Sequence, residues 1–352
     1  MKTFLSKLSG FTKKKNVIVS GQRYGIDALG AMAQGLFASL LIGTMIKTLG
    51  QQIGIEYLIT IGEFATGVQG PAMAVAIAFA LQAPPLVLFS MLAVGSAACT
   101  CGGAGGPLAV LVIAIISTEI GKLISKETKI DIIVTPLVTI CVGVILSTTC
   151  APFIGALASK VGAIIMWATE LQPFLMGILV SVLVGIALTL PISSAAICAA
   201  LSLTGLAGGA AVAGCSAQMV GFAILSFREN KIGGLLSQGL GTSMLQMKNI
   251  VKNPKIWIAP ILASAITGPL ATTVFHLEMN GAAVSSGMGT CGLVGQIGVY
   301  TGWIMTNHAI TSMDWVGLIL ISFILPGILC YLFGLFFRKI GWINEGDLKL
   351  ES

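Results

Sequence analysis

The sequence predicts an all-α polytopic membrane protein, and three observations support this fold class. First, 56% of the 352 residues are hydrophobic and only 9% are charged, against about 25% charged in an ordinary soluble domain. Second, the mean hydropathy of the chain is +0.98. Third, several windows of about 18 or more residues carry almost no charge, which is enough to cross a hydrocarbon core of about 30 Å as helix. Stretches such as LVLFSMLAVGSAAC do not alternate apolar and polar residues, which argues against a β-barrel.

The formal net charge of +6 indicates contact with membrane lipid rather than with nucleic acid. The lysines and arginines lie between hydrophobic spans, where they set orientation and meet anionic lipid. The N-terminal MKTFLSKLSGFTKKK is basic and amphipathic, but no short apolar core with a small-residue cleavage site follows it. We therefore interpret residues 1–20 as a retained amphipathic segment at the membrane surface.

Hydrophobic spans follow one another along the whole chain, and we expect about 8–10 transmembrane helices. The glycine cluster CGGAGGP, residues 101–107, should interrupt regular helix. The stretch 151–170 is short and carries Lys160, so it could cross the membrane or lie in the interface. The predicted spans are Ile26–Ile46, Tyr57–Leu81, one from the turn at Pro84 to Cys99, one ending at Ile124, Ile132–Cys150, one ending at Pro191, one beginning near Ile256, and Trp315–Phe337.

The positive charges predict the orientation of the chain in the membrane. Both termini and the basic stretches 122–129, 228–255 and 338–339 should be cytoplasmic. The crossings then fit if residues 192–226 and 276–311 each contain a hairpin that enters and leaves by one face. Non-helical backbone at membrane depth is tolerated only where protein buries it or water reaches it. We therefore expect a solute cavity in the C-terminal half.

The chain shows no pattern of a soluble catalytic domain. GMGTCG, residues 287–292, satisfies the dinucleotide pattern G-x-G-x-x-G, but no strand precedes it and no βαβ unit follows. With two histidines and no paired C-x-x-C, we predict no catalytic residue, metal site or cofactor.

Ionisable residues in apolar spans are the best candidates for function, because burying a charge in a membrane is costly. In AITGPLATTVFHLEMNG, residues 265–281, a Gly-Pro break precedes His276, Glu278 and Asn280. These three residues could line a pocket or lie in an extracellular loop. Glu63 is a further candidate, and Glu119 is interpreted as interfacial because it lies close to the basic loop that begins at Lys122.

Two stretches resemble a known family. SAITGPLATTVF, from Ser264, is similar to the G-I-T-E-P-L-E-F signature of the sugar-transporting membrane subunits (enzyme IIC) of the bacterial phosphotransferase system. SKETKIDIIVTPLVTICVG resembles their charged loop and proline-bearing span. RYGIDALGAMAQGLFASLLIGTMIKTLG and the chain length resemble the perfringolysin O regulator-like branch, which includes both transporters and regulatory membrane proteins.

The resemblance implies a homodimer in a bacterial cell membrane. Residues 21–150 would be the scaffold and dimerisation half, residues 151–340 the solute-binding half with hairpins near 192–226 and 265–311, and residues 341–352 a short cytoplasmic tail. Gly268 stands where the family has a sugar-binding glutamate, and the family's other sugar-site histidine has no counterpart. No IIA or IIB domain is fused, so such proteins would be separate partners.

Three functions remain open at the level of sequence. The first is a IIC-like transporter for a sugar or related small polar solute, working by alternating access of a hairpin-bearing domain. The second is a membrane sensor or regulator that binds a ligand without transport, and the third is an enzymatic part in phosphorylating the solute with a separate IIB protein. The predicted ligand-binding residues are Thr267, Gly268 and Pro269 at the tip of a hairpin, with His276, Glu278, Asn280 and Glu63.

Overall fold

The computed structural model describes residues 11–12 and 14–350, and this part of the chain is helical without any β-strand. Residues 1–10 of the predicted segment 1–20 lie outside the described residues. The helices are α1 (Arg23–Ile53), α2 (Glu56–Gly67), α3 (Gln69–Ala80), α4 (Pro85–Gly102), α5 (Gly106–Ile124), α6 (Asp131–Thr169), α7 (Pro173–Thr189), α8 (Ser194–Ala200), α9 (Gly205–Leu225), α10 (Phe227–Leu236), α11 (Met247–Lys252), α12 (Ile258–Pro269), α13 (Val294–Met305) and α14 (Ser312–Lys339).

The predicted class, an all-α polytopic membrane protein, is confirmed. Six helical stretches among the described residues are long and apolar enough to cross a membrane, and α3 and α7 are shorter apolar helices. One of the six, Pro85–Ile124, is bent back on itself at the predicted glycine cluster. Gly103 has φ +51 there, and α4 and α5 pack against each other.

Helix α6 corrects the predicted span Ile132–Cys150. It continues without interruption to Thr169 and includes Lys160 and two prolines, Pro136 and Pro152. Its 39 residues make a helix of about 58 Å. Proline does not break a helix in an apolar environment when neighbouring groups satisfy the freed carbonyl, so α6 continues through Pro152 into the stretch 151–170.

The described chain forms two compact units. The first contains the residues up to Leu40 together with Phe64–Ala156, and the second contains Leu41–Glu63 together with the residues from Leu157 onward. The boundaries between the units fall inside α1, α2 and α6.

Small residues bring the helices of the first unit close together. A methyl group added to Gly70 of α3 would lie 2.5 Å from the carbonyl oxygen of Gly95 in α4, and one added to Gly95 would lie 2.3 Å from that of Gly70. Glycine pairs of this kind let membrane helices approach to backbone contact. Met73 and Ile77 of α3 and Met91 of α4 are fully buried in the same unit.

A buried ion pair lies at the end of α5 in the first unit. The Lys122 ammonium group is 2.9 Å from the Glu119 carboxylate and also donates to the carbonyl oxygens of Asn16 (2.7 Å) and Leu81 (3.0 Å). The Tyr24 hydroxyl donates to the other Glu119 oxygen at 3.2 Å. Lys122 and Glu119 are only 2% and 8% exposed, so Glu119 lies inside the unit, and its interfacial depth in the membrane stays a prediction.

Helix α9 is the centre of the second unit. It is almost entirely buried and packs against α7, α12 and α14. The contacts of Ser181 with Gly214 and of Gly185 with Gln218 show that α7 and α9 run in the same direction. Helix α12 runs the opposite way, because its early residue Pro260 lies beside Gly221.

A polar network ties these helices together. The buried Gln218 side chain donates to the Ser264 hydroxyl at 3.3 Å and accepts from the Trp257 indole at 2.8 Å and from Thr189 at 3.3 Å. Thr189 and Ser243 share a hydroxyl–hydroxyl bond of 2.7 Å. Every polar side chain in this network is uncharged.

We expect the Glu119–Lys122 pair to be strongly coupled. Lys122→Met alone should destabilise the protein by about 3–5 kcal/mol, because it leaves a buried carboxylate without its cation. The double variant Lys122→Met/Glu119→Leu should recover much of this loss. Unfolding midpoints of the detergent-solubilised protein measure both effects.

Lys47→Met is the matched control, since Lys47 makes an ion pair with Glu63 at 2.9 Å on a more exposed surface. Its expected cost is about 1 kcal/mol or less. Equal losses for Lys122→Met and the double variant would show that the two charges are not coupled.

Candidate functional site

The second unit contains a non-helical hairpin beside α9. We call residues 275–305 the hairpin. Its first arm is irregular apart from the 3₁₀ turns Ala283–Gly287 and Cys291–Leu293, and its second arm is α13. With 12 residues, α13 is about 18 Å long, too short to cross a hydrocarbon core of about 30 Å.

Contacts with α9 show that the hairpin enters and returns at the same end of that helix. Met279 pairs with Gly205, the first residue of α9, through two backbone bonds of 3.0 Å. Ten residues later Gly289 lies against Cys215, half-way along α9. Gly302 of α13 is back beside Asn280. The chain therefore turns back within residues 276–311, as predicted, and its entry and exit by one face of the membrane stay a prediction.

The first arm begins as an extended strand with one buried side. Leu277 and Met279 are 3% and 0% exposed and belong to the core around α9. His276 and Glu278, which alternate with them along the chain, are exposed. A single bridge to Gly205 satisfies the backbone of Met279 on the α9 side.

A second irregular segment, residues 190–204, packs against the hairpin. It leads back from the end of α7 to the start of α9 and contains only the short helix α8. The Ser194 hydroxyl donates to the Gly287 carbonyl at 2.7 Å, and the Ser286 hydroxyl donates to the Leu203 carbonyl at 2.6 Å. The chain through residues 192–226 therefore does turn back on itself, but its returning arm is the full-length helix α9 rather than a second short one.

The hairpin tip, residues 288–293, has a strained backbone. Gly289, Gly292 and Leu293 have φ values of +51, +50 and +60. A non-glycine residue in this left-handed region costs of order 1 kcal/mol or more and is retained where the surroundings impose it. The Thr290 hydroxyl anchors the tip by donating to the Gly239 carbonyl at 2.5 Å.

A buried glutamine next to the tip has an unsatisfied acceptor. Gln296, 7% exposed, donates its amide N–H groups to Ser216 of α9 at 3.3 Å and to Ser322 of α14 at 2.9 Å. Its Oε1 has no hydrogen-bond partner among the described residues. In the reversed amide orientation the amino group would be the unpaired end, so one polar end of Gln296 lacks a partner either way. Ser322 lies in a π-helical turn, Leu320–Ile324, a feature that is frequent at functional sites.

The predicted break at Gly268–Pro269 is wrong. The backbone stays helical through Pro269 and continues as a π-helical turn, Leu270–Val274, so the helix ends six residues later than predicted. The helix thus passes through the proline, and its wider π-helical turn begins at the next residue. Thr267, Gly268 and Pro269 are fully buried. The Thr267 hydroxyl donates to the Ala263 carbonyl of its own helix at 3.0 Å.

The remaining predicted residues are not brought together with these three. Asn280 is held by its own neighbours: it donates to Glu278 at 2.8 Å and accepts from the Gly205 amide at 3.2 Å. His276, exposed with φ +43, marks the true end of the helix. Glu63 is exposed in α2 and pairs with Lys47. Gln296 was not predicted from the sequence. Its signal was a polar amide in an otherwise apolar span next to a glycine cluster.

Comparison with known families identifies the chain. The sequence model of the family described as "Phosphotransferase system, EIIC" matches residues 26–350. The chain belongs to this EIIC family. Searches of curated proteins and of solved structures give no match.

Gly268 shows how this EIIC protein departs from the signature that it resembles. A methyl group there would lie 2.1 Å from the Gly177 carbonyl oxygen and 2.2 Å from the Ser181 hydroxyl, both on α7. A glutamate side chain therefore does not fit at this position. The glycine at this position allows close packing of α12 against α7.

We expect Gly268→Ala to destabilise the protein by about 1–3 kcal/mol, the usual cost of overpacking a tight contact. The unfolding temperature in detergent measures the effect. Gly233→Ala is the control, because its added methyl group meets nothing within 4 Å. Equal stability of the two variants would contradict the close α7–α12 contact.

Proposed function

We propose that this EIIC protein transports a sugar or related small neutral polar solute, which is bound beside the hairpin tip. The unsatisfied Gln296 oxygen is the observation that carries this proposal. A buried acceptor without a donor costs about 1–3 kcal/mol, and the hydroxyl of a bound solute would supply that donor.

The chemistry around the hairpin favours a neutral, hydroxyl-rich solute. Buried charge would accompany an ionic solute, because a charge taken out of water requires an opposite partner. The buried polar residues on or against the hairpin are instead hydroxyls and amides, which both donate and accept: Ser194, Ser216, Ser285, Ser286, Thr290, Gln296 and Ser322.

The proposed site differs from the one predicted from the sequence. Thr267 has its hydroxyl bonded within its own helix, and Gly268 and Pro269 are packed against α7. His276, Glu278 and Asn280 lie at the start of the hairpin, at the end of α9 where a solute would enter. Glu63 is exposed in α2 and pairs with Lys47, and we do not assign it to the site.

Transport by alternating access needs a part that carries the solute and a part that stays in the membrane as a scaffold. We assign the first role to residues 151–340 and the second, with homodimer contact, to residues 21–150. Phosphorylation of the solute would require separate IIA and IIB proteins. We place the chain in the perfringolysin O regulator-like branch on its N-terminal sequence, and for that branch the second candidate function is a sensor that binds solute without transporting it.

Purified protein screened against a panel of neutral hexoses, hexitols and disaccharides should bind one of them, seen as a rise in unfolding temperature. Gln296→Leu should abolish that rise, because it removes the free acceptor while keeping the side chain's volume. Gln172→Leu, the same change at an exposed glutamine, should keep it. Binding of anionic sugars or sugar phosphates alone, or unchanged binding by Gln296→Leu, would contradict the proposal.

Uptake separates the two candidate functions. Proteoliposomes that contain the protein, supplied with IIA and IIB partners and a phosphoryl donor that regenerates phosphorylated IIB, should accumulate the solute identified by binding. Binding at the same concentration without uptake would favour the sensor.

The proposed orientation has a direct test. Cysteine placed at Lys126 in a cysteine-free background should resist an impermeant maleimide added outside intact cells, because the basic loop is expected in the cytoplasm. Ala309→Cys, exposed between α13 and α14, should react. The reverse pattern would invert the topology.

A further inference from the structure

The chain folds back after α14 and docks on the second unit. We call residues 342–350 the tail and residues 226–257, which connect α9 to α12, the basic segment. Ile343 and Leu348 of the tail are 2% and 0% exposed, whereas Asn344, Glu345 and Lys349 are exposed. Two apolar side chains therefore anchor an otherwise polar strand of chain.

Amide side chains of the basic segment bind the backbone of the tail. Asn230 donates to the Leu348 carbonyl and accepts from the Leu350 amide, both at 2.8 Å, so its side chain acts as a peptide group would in a β-ladder. Gln246 also donates to the Leu348 carbonyl at 2.9 Å, and Asn249 donates to the Lys349 carbonyl at 3.0 Å.

The near end of the tail is held in the same way. Asn253 donates to the Trp342 carbonyl at 2.9 Å and to the Asp347 carboxylate at 2.8 Å. The Lys255 ammonium group lies 5.8 Å from the centre of the Trp342 ring, within the range of a cation–π contact. Gly341 and Gly346 have φ +74 and +90, so the tail turns at two positions that favour glycine.

The contacts continue from the tail to the hairpin tip. Gln246 donates to Gln238 at 2.8 Å, and Gln238 donates to Ser226 at 2.8 Å. Gln238 lies in the π-helical turn Ser237–Gly241. The Gly239 carbonyl of that turn accepts the Thr290 hydroxyl bond that anchors the tip.

We propose that the tail is a strap that holds the basic segment closed over the hairpin tip. Docked, it fixes the turn Ser237–Gly241 against the tip and blocks access from that end of α9. Released, it frees the basic segment and opens a path to the tip. The device goes beyond the proposed transport function and does not depend on the identity of the solute.

Few buried apolar contacts hold the tail in place compared with the rest of the fold. Beyond Asn344, Leu348 is the one fully buried apolar side chain among the described tail residues. The other contacts described above for this part are hydrogen bonds to backbone groups and to the Asp347 carboxylate, which water can replace once the tail lifts. Segments with few buried apolar contacts open locally without global unfolding.

Cys291, in the tip and 1% exposed, is a natural reporter of access. In a protein whose other seven cysteines are alanine, N-ethylmaleimide should modify Cys291 about tenfold or more faster when the chain ends at Asn344, since local opening limits reaction of a buried group. The unfolding temperature should remain close to that of the full chain. Hydrogen exchange of residues 237–257 in the protein with all its cysteines should accelerate in the same variant.

Point variants separate the strap from a general loss of side chains. Gln246→Ala and Asn249→Ala should each raise the Cys291 rate, because they remove donors to the tail. Lys349→Ala is the matched control and should leave the rate unchanged, because the carbonyl that Asn249 binds is kept.

Each remaining outcome overturns the proposal. Unchanged Cys291 reactivity and exchange after truncation would show that the tail does not close the tip. Global unfolding after truncation would show that the tail belongs to the core and is not a releasable strap.

Discussion

Backbone groups outside helices need hydrogen-bond partners inside a membrane protein, and the second unit is organised by that constraint. The hairpin and residues 190–204 place two stretches of irregular chain next to α9, where water is scarce and an unpaired N–H or C=O costs several kcal/mol. Ser194 and Ser286 each donate to a carbonyl of the facing segment, Thr290 donates to the Gly239 carbonyl, and Gly205 pairs with Met279. The same need for hydrogen-bond partners explains the many hydroxyl side chains around the hairpin. Hydroxyl groups that satisfy backbone carbonyls can also bind a neutral polar solute such as the proposed sugar.

The same constraint explains why α9 is made of small residues. Two backbones can pair only if no side chain separates them. A methyl group added to Gly209 would lie 1.7 Å from the Leu277 carbonyl oxygen. On another side of the helix, a methyl group added to Gly214 would lie 1.9 Å from the Ser181 carbonyl oxygen of α7. In the first unit, glycines such as Gly70 and Gly95 bring helices into contact, and the buried Glu119–Lys122 pair joins α5 to the chain before α1 and to the α3–α4 turn.

Sequence pattern predicted the helical class and the return of the chain at 276–311, because both depend on composition and on charge, which are local. The glycine cluster at 101–107 was placed correctly, since residues such as Gly103 at positive φ admit little else. The sequence could not show that the helix continues through Gly268–Pro269. Whether proline ends a helix depends on the neighbouring groups, here those of α7, that pack against it. Gln296 was missed for a related reason: its partners Ser216 and Ser322 come from two distant helices, and an unsatisfied acceptor exists only once all three are in place.

The two ends of α9 differ in how much chain covers them, so the hairpin has one open and one covered side. At the start of α9, exposed His276 and Glu278 flank an extended arm with no covering segment described over their open side. At the other end, Arg338 of α14 bonds the Leu225 carbonyl and Glu229, and the basic segment with its docked tail lies beyond. A solute could thus reach the tip from the first end by displacing little, whereas the second end opens only when amide-to-backbone bonds are broken. If the tail acts as the proposed strap, a few replaceable hydrogen bonds separate its closed and open states, and two states close in free energy are what an alternating-access protein or a ligand-driven sensor requires.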